Sequence, residues 1–184
     1  MFAASADPIR IELWKPTSAM DDDIDALADV LHACVRKGAS VSFVLPFSHE
    51  DARAFWADQV LPAVTAGSRR LLVARSASKI IGTVQLDLAT PPNQPHRAEV
   101  KKLLVHPDAR RGGIARSLMT AVEAEAREAG RTLLTLDTVT GGPAEALYTS
   151  LGYSVAGVIP GYAWNFDSTA IEPTTVMYKS LVPA

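Results

Sequence analysis

The spacing of hydrophobic residues predicts a strand followed by two helices in the first third of the chain. Apolar and polar residues alternate over 9–14, the pattern of a half-buried strand. Over 21–36 the apolar residues recur every three or four positions, which predicts a helix. Ser48 can cap a second helix, which we expect to continue to about Ala66 and to bend at Pro62.

Short β-rich runs fill the middle of the chain, and strands alternate with helices toward its end. Runs at 70–75 and 80–88 flank a polar tetrad at 76–79, which predicts an antiparallel hairpin. The proline-rich segment 90–95 cannot continue a ladder. The other predicted elements are a strand at 98–105, a helix at 114–129, a strand at 132–137, a helix at 143–150, and strands near 153–159 and 174–181.

This order of elements predicts an α/β (α+β) fold built on one mixed sheet. We expect most neighbouring strands to be antiparallel and helices to cover both faces. The strand-helix-strand passage at 99–137 predicts one right-handed parallel βαβ crossover. Since the chain has no internal repeat and no long linker, we expect a single domain over residues 1–184.

Composition and charge exclude several classes of protein. With 48% hydrophobic and 21% charged residues, the chain has the balance of a globular domain. The net charge of −2 creates no general basic field, so we expect no nucleic-acid partner. No stretch approaches the roughly 20 apolar residues that cross a bilayer, and residues 1–8 lack the pattern of a signal peptide. We therefore expect a cytoplasmic protein without a membrane partner.

No metal site is predicted. The histidines do not have the spacing of metal ligands, and the acidic run 21–23 suits the N-terminus of a helix better than a calcium loop. Cys34, the single cysteine, falls on the apolar stripe of the first helix, which favours a buried structural thiol over a nucleophile.

The segment 105–119 combines a strand end, a turn rich in arginine and glycine, and the start of a helix. The first amides of a helix have no internal partners and carry partial positive charge, so they bind phosphate where the chain permits close approach. Gly112 and Gly113 remove obstructing side chains, and Arg110, Arg111 and Arg116 add cationic donors. This pattern suits a pyrophosphate, although it lacks the P-loop and dinucleotide-binding signatures and an ordinary polar turn remains an alternative.

Two segments resemble the GNAT N-acetyltransferase superfamily. Arg110-x-x-Gly113-x-Ala115 resembles its acetyl-CoA-binding motif, and 144–153 resembles a later helix that carries a tyrosine. Segments at 38–43, 97–100, 136–138, 160–162 and 169–171 resemble more specifically the tabtoxin resistance acetyltransferases. The resemblance implies the acyl-CoA N-acyltransferase fold and covers 70–155 most specifically.

The resemblance also implies a reaction. Acetyl-CoA would be the co-substrate, and its acetyl group would pass directly to a primary amine of a small amino-acid-like, antibiotic-like or toxin-like acceptor. A protein N-terminus or a polyamine remains an alternative acceptor, and a catalytically silent acetyl-CoA-binding module is the alternative from another class. The superfamily resemblance leaves a monomer and a homodimer equally open.

Catalytic roles follow from the same resemblance. Tyr148 occupies the position of the general acid toward the leaving thiolate, with helix packing as the alternative. Glu99 and Asp137 lie at equivalent ends of neighbouring predicted strands, where either can accept the amine proton or bind an ammonium; a structural carboxylate is the alternative for each. The chain departs from the superfamily pattern at Gly141, where the superfamily often has an asparagine that contacts the donor.

Binding roles complete the implied site. Phe43, Tyr162 and Trp164 border the acceptor side, where packing is the alternative role. The pantetheine arm of the donor would lie along the strand that precedes the turn. The residues implied in donor binding are Leu103, Leu104, Val105, Arg110, Arg111, Gly112, Gly113, Ile114, Ala115, Arg116 and Ser117.

Overall fold

The computed structural model describes residues 8–16 and 20–182. The strands are β1 (Arg10–Leu13), β2 (Arg69–Ser76), β3 (Lys79–Asp87), β4 (Arg97–Val105), β5 (Leu133–Val139), β6 (Ser154–Trp164) and β7 (Ile171–Ser180). The helices are α1 (Met20–Arg36), α2 (His49–Ala54), α3 (Leu61–Thr65), α4 (Ile114–Glu128) and α5 (Pro143–Ser150). Most of the N-terminal segment that we compared with signal peptides lies outside the described residues.

One seven-stranded sheet organises the described chain, in the order β1-β2-β3-β4-β5-β7-β6. Its neighbouring strands pair antiparallel, except that β4 and β5 pair parallel across the connection through α4. The mixed sheet and the single parallel crossover that the sequence predicts are therefore confirmed. β6 forms one edge of the sheet.

Helices cover both faces of the sheet, as predicted. Alternate residues of β2 point to opposite faces, so Leu71 and Val73 join one hydrophobic cluster and Leu72 and Ala74 join another. The first cluster holds the buried residues of α1 and α2, and the second holds those of α4 and Tyr148 of α5. The centre of the sheet is thus buried between two cores, with α1 on one face and α4 on the other, whereas β6 is exposed along its whole length.

Two elements differ from the sequence prediction. The expected helix at 48–66 is helical throughout 49–65, but its middle, Phe55–Val60, is a π-helical turn between α2 and α3. Leu61 N–H bonds to Trp56 C=O there, and Pro62, which has no N–H, follows in the first turn of α3. β6 continues to Trp164 instead of ending near 159, because a register irregularity accommodates Gly161 at a φ of 60°.

Candidate active site

The parallel strands β4 and β5 separate after a short ladder. In the described chain, the last residues that pair across the two strands are Glu99 and Thr135. Beyond this point β4 contains a bulge, because Lys102 has a left-handed backbone (φ 51°) and the register with β3 shifts. The bulge turns the end of β4 away from β5. An extended ligand could therefore pair with the backbone of 103–105 as an added strand does.

The predicted phosphate-binding turn lies at the end of β4. Gly113 immediately precedes α4 at a φ of 77°, and no side chain caps the helix. A Cβ at Gly113 would meet no atom within 4 Å, so the first amides of the helix face open space. Arg111 also has a positive φ, 68°, and is exposed beside these amides. This turn has the room and the donors that a diphosphate needs.

The other two arginines of the turn have contacts within the protein. Arg110 Nε donates to the Val105 carbonyl at 3.1 Å, and its guanidinium lies 3.7 Å from Cys34 Sγ. Arg116 donates to Ser150 Oγ at 2.8 Å, which joins α4 to α5. Arg110 therefore holds the turn against the end of β4, and Arg111 is the arginine of the turn with the greatest access to a bound anion.

The structure brings the predicted acceptor residues into one cleft. Phe43, Asp137, Tyr162 and Trp164 all line a cavity of about 320 Å³ beside the opening between β4 and β5. Glu172 also lines it, so two carboxylates face the same space. Tyr162 and Trp164 are exposed on β6 rather than packed in the core. An aromatic cleft with two carboxylates is suited to an organic cation.

Two connecting segments enclose the side of this cleft. Leu45 N–H donates to the Phe166 carbonyl at 2.7 Å, which joins the loop after α1 to the turn between β6 and β7. The ring of Phe43 packs 4.7 Å from that of Phe47 and 5.2 Å from that of Phe55. These contacts form one side wall of the cleft.

The two candidate carboxylates differ in position. Parallel pairing places Glu99 opposite Thr135, two residues before Asp137, so the two carboxylates are not at equivalent strand ends as the sequence predicted. Asp137 lines the cleft and is exposed, and its Oδ2 accepts a hydrogen bond of 3.1 Å from Thr174 Oγ1. Glu99 is 3.2 Å from Lys101 Nζ instead. The geometry therefore makes Asp137 the accessible carboxylate of the pair.

Glu99 belongs to a network of charges that joins β2, β3 and β4. Lys101 also contacts Asp87 at 3.1 Å, and Asp87 accepts a hydrogen bond of 2.9 Å from Arg69. Burial opposes ionisation of Asp87, but hydrogen bonds from the Ala89 amide and Lys101 keep its pKa below the usual value. This network joins the charged residues of the three strands, and none of its members lines the cleft.

Tyr148 is buried, with 6% of its surface exposed, and lies on α5 with its ring 5.8 Å from that of Tyr153. Burial, together with the negative charge of Asp137, raises the pKa of Tyr148 to about 12. Its hydroxyl therefore keeps its proton at neutral pH and can donate it in a hydrogen bond.

Lys102 is a site residue that the sequence reasoning missed. Its Nζ donates to the Val41 carbonyl at 2.7 Å and to Ser42 Oγ at 3.1 Å, in the loop that walls the cleft. Burial, with a smaller contribution from Lys101, lowers the pKa of Lys102 to about 8. The signal was present in the sequence, because two consecutive lysines interrupt a strand whose side chains should alternate between buried faces.

Stability should depend on pH through Lys102. The unfolded lysine keeps its proton up to its ordinary pKa of 10.5, whereas the folded one loses it near 8. Between these values the unfolded chain binds more protons, so Lys102 makes the free energy of unfolding rise with pH. The variant Lys102→Met lacks this contribution. Its free energy of unfolding minus that of the wild type should therefore fall between about pH 7 and about pH 10, as urea titrations can measure. An unchanged difference would contradict the lowered pKa.

Neither a metal centre nor a membrane span occurs in the described part of the chain. Over residues 8–16 and 20–182, no group of three or more His, Cys, Asp or Glu side chains is placed to hold a metal ion. None of the helices in these same ranges has the length and hydrophobicity that crossing a bilayer requires.

Sequence and structure comparisons relate the chain to known acetyltransferases. A sequence model of the acetyltransferase (GNAT) family matches residues 32–153, more than half of the chain. The uncharacterized N-acetyltransferase of the hisH-hisA intergenic region of Azospirillum brasilense is 33% identical over 117 residues. The match covers 62% of this chain and 67% of that protein.

Solved structures share the whole architecture. The N-acetyltransferase from Staphylococcus aureus Mu50 superposes with a TM-score of 0.78 at 17% identity, covering 95% of this chain and 99% of that one. yncA from Salmonella typhimurium, solved with its cofactor acetyl-CoA, gives 0.76 at 18% identity, with coverage of 96% and 95%. At these identities the structures show a common fold, and the family match adds the class of protein. The chain belongs to the GNAT acetyltransferase family and is an acetyl-CoA-dependent acyltransferase.

Proposed function

We propose that this protein transfers the acetyl group of acetyl-CoA to the primary amine of a small amino-acid-like acceptor, of the antibiotic or toxin type. The observation that carries the proposal is the cleft, which joins Asp137, Phe43, Tyr162 and Trp164 beside the opening between β4 and β5. The cavity volume of about 320 Å³ and the side wall formed by the loop after α1 and the β6–β7 turn support a small acceptor. The resemblance to tabtoxin resistance acetyltransferases supports the same acceptor class.

The donor side of the proposed site is the turn before α4. The first amides of α4 and the Arg111 guanidinium would bind the diphosphate, and the backbone of 103–105 would pair with the pantetheine arm. Acetyl-CoA supplies an activated acyl group as a thioester. The separation of β4 from β5 provides access to that backbone from the side that faces the acceptor cleft.

The acceptor must lose a proton before it can attack a thioester, and Asp137 is placed to take that proton. It is the carboxylate that lines the cleft, whereas Glu99 is paired with Lys101. Tyr148 would donate a hydrogen bond to the sulfur as charge develops there. With a pKa of about 12, complete transfer of its proton to a thiolate of pKa ~8.5 is unfavourable, so the hydrogen bond itself is the proposed contribution.

Direct transfer without an acyl-enzyme is supported by the state of Cys34. This cysteine is buried in α1, and burial raises the pKa of its thiol. The thiolate is the nucleophilic form of cysteine, so the higher pKa leaves Cys34 unreactive. A single ternary complex of enzyme, donor and amine is therefore the proposed arrangement.

A thiol-release assay with acetyl-CoA tests the proposal across amino acids, dipeptides, aminoglycosides, polyamines and peptide N-termini. Release with amino acids, dipeptides or aminoglycosides is expected. Release with polyamines or peptide N-termini alone would overturn the acceptor class. Binding of CoA in calorimetry without release on any amine would identify a silent acetyl-CoA-binding module.

The donor side can be tested with Gly113→Ala. A methyl group there occupies the space above the helix amides and disfavours the φ of 77°, so the Kd for CoA in calorimetry should rise about fivefold, or ~1 kcal/mol.

Gly130→Ala is the matched control for this variant. Gly130 follows the other end of α4 with a φ of 70°, and a Cβ there also meets no atom within 4 Å. The two substitutions therefore impose similar backbone strain, and only Gly113→Ala should weaken CoA binding. Equal Kd values for the two variants would place the diphosphate elsewhere.

A further inference from the structure

Two residues with left-handed backbones meet beside the acceptor cleft. Within the described chain, five residues other than glycine have positive φ. Such conformations cost energy and persist where surrounding contacts impose them. Three of the five lie in turns, two of them between paired strands and one before α4. The other two, Ser42 (φ 72°) and Lys102 (φ 51°), are 60 positions apart in sequence but in direct contact. The five are Ser42, Ala77, Lys102, Arg111 and Ser168.

The contact fixes an ammonium group directly behind the wall of the cleft. Lys102 Nζ is 3.1 Å from Ser42 Oγ and 2.7 Å from the Val41 carbonyl oxygen. The rings of Phe43 and Phe55 lie 5.3 and 5.8 Å from Nζ, where they attract the cation and exclude water from it. The bulge in β4 directs the side chain under the loop that carries Ser42 and Phe43. Lys102 is therefore held in one place by four neighbours.

Ser42 connects this ammonium group to the cleft. The residue is exposed and lines the cleft next to Phe43. A hydroxyl group has one O–H donor besides its acceptor lone pairs. Because Ser42 Oγ accepts from Lys102, its own proton is available to a group in the cleft, and the positive charge behind it strengthens that donor. This wall therefore favours an anionic group.

Other residues of the cleft favour the opposite charge. Asp137 and Glu172 present carboxylates to the same cavity of about 320 Å³. A small molecule that satisfies both parts of the cleft carries an ammonium and an anion at once, as an amino acid does.

We propose that Ser42, positioned by Lys102, recognises the carboxylate of the acceptor, so that the enzyme selects amines that carry a carboxylate. This inference rests on the proposed function and assigns two residues to its acceptor specificity. Ser42 would contact the acceptor, and Lys102 would act through Ser42 as a positioning residue.

Specificity ratios test the proposal directly. The probes are three sets, each made of an amino acid, its amide and the amine without the carboxylate: L-alanine, L-phenylalanine and L-lysine with their counterparts. For wild-type enzyme we expect kcat/KM to favour the free amino acid over both counterparts by at least about tenfold, the effect of one charge-assisted hydrogen bond. In Ser42→Ala and in Lys102→Met the preference should fall below about threefold, through a higher KM for the amino acid and little change in kcat.

Ser168→Ala is the matched control. Ser168 also has a positive φ, 58°, but lies in the β6–β7 turn, so its variant should keep the wild-type preference. Thermal unfolding confirms that each variant folds.

Each remaining outcome separates this inference from the proposed function. If the wild type releases no thiol with any amine, the proposed function fails. Should it acetylate amines with equal preference for all three members of a set, the inference fails and the function stands. A wild-type preference that Ser42→Ala and Lys102→Met both retain would also overturn it.

Discussion

Asp137→Asn is expected to lower kcat about 100-fold while the protein remains folded. Asparagine keeps the oxygen that accepts the hydrogen bond from Thr174, so the local structure should persist. It cannot accept the proton of the amine, and loss of a general base typically costs a factor of ~100 or more. Initial rates of thiol release at saturating acetyl-CoA and acceptor measure the effect, and thermal unfolding measures the fold.

Glu99→Gln is the comparison that makes this result specific. Glu99 is paired with Lys101 and does not line the cleft, so its substitution should reduce kcat much less. The rate loss of Asp137→Asn should also diminish as pH rises toward the pKa of the acceptor, because a larger share of the amine is then already neutral. A 100-fold loss in Glu99→Gln beside near wild-type rates in Asp137→Asn would exchange the roles of the two carboxylates.

The order of elements was predictable because each depends on local patterns. The alternation of apolar and polar residues around β1 and the helical spacing in α4 depend on which residues are buried, and Gly130 follows α4 as the sequence predicts. The parallel pairing of β4 and β5 followed from the helix between them, which leaves few other topologies. These features need no information about contacts between distant segments.

The bulge at Lys102 shows why other features were not predictable. The two consecutive lysines interrupt the apolar pattern of β4, but they do not show that an extra residue shifts the ladder there. That shift brings Lys102 under the loop at 38–47. The sequence also did not predict the length or register of the parallel ladder, in which Asp137 lies two residues beyond the partner of Glu99. The π-helical turn before Pro62 was not predicted either, because a proline in a helical pattern indicates a bend without specifying its form.

The cleft combines segments far apart in the chain. Phe43 comes from the loop after α1, and Tyr162 and Trp164 from β6, which extends beyond its predicted end. Resemblance to known enzymes suggested these residues individually, and the hydrogen bond from Leu45 to Phe166 joins the two segments that carry them. The proposed acceptor site is therefore built by tertiary contacts that no local pattern records.

Tyr148→Phe should lower kcat at least about 10-fold with little change in stability. The phenol keeps its proton, because burial raises its pKa to about 12, and its removal deprives the departing sulfur of a hydrogen-bond donor. The neighbouring Tyr153 supplies a matched control, since it is also buried and its hydroxyl has no hydrogen-bond partner among the described residues. Tyr153→Phe should leave kcat unchanged and the protein at least as stable. Stopped-flow thiol release by the two variants tests this assignment. If Tyr148→Phe keeps the wild-type rate, as Tyr153→Phe should, Tyr148 is only a packing residue. A loss of rate confined to Tyr148→Phe would identify Tyr148 as the hydrogen-bond donor to the sulfur.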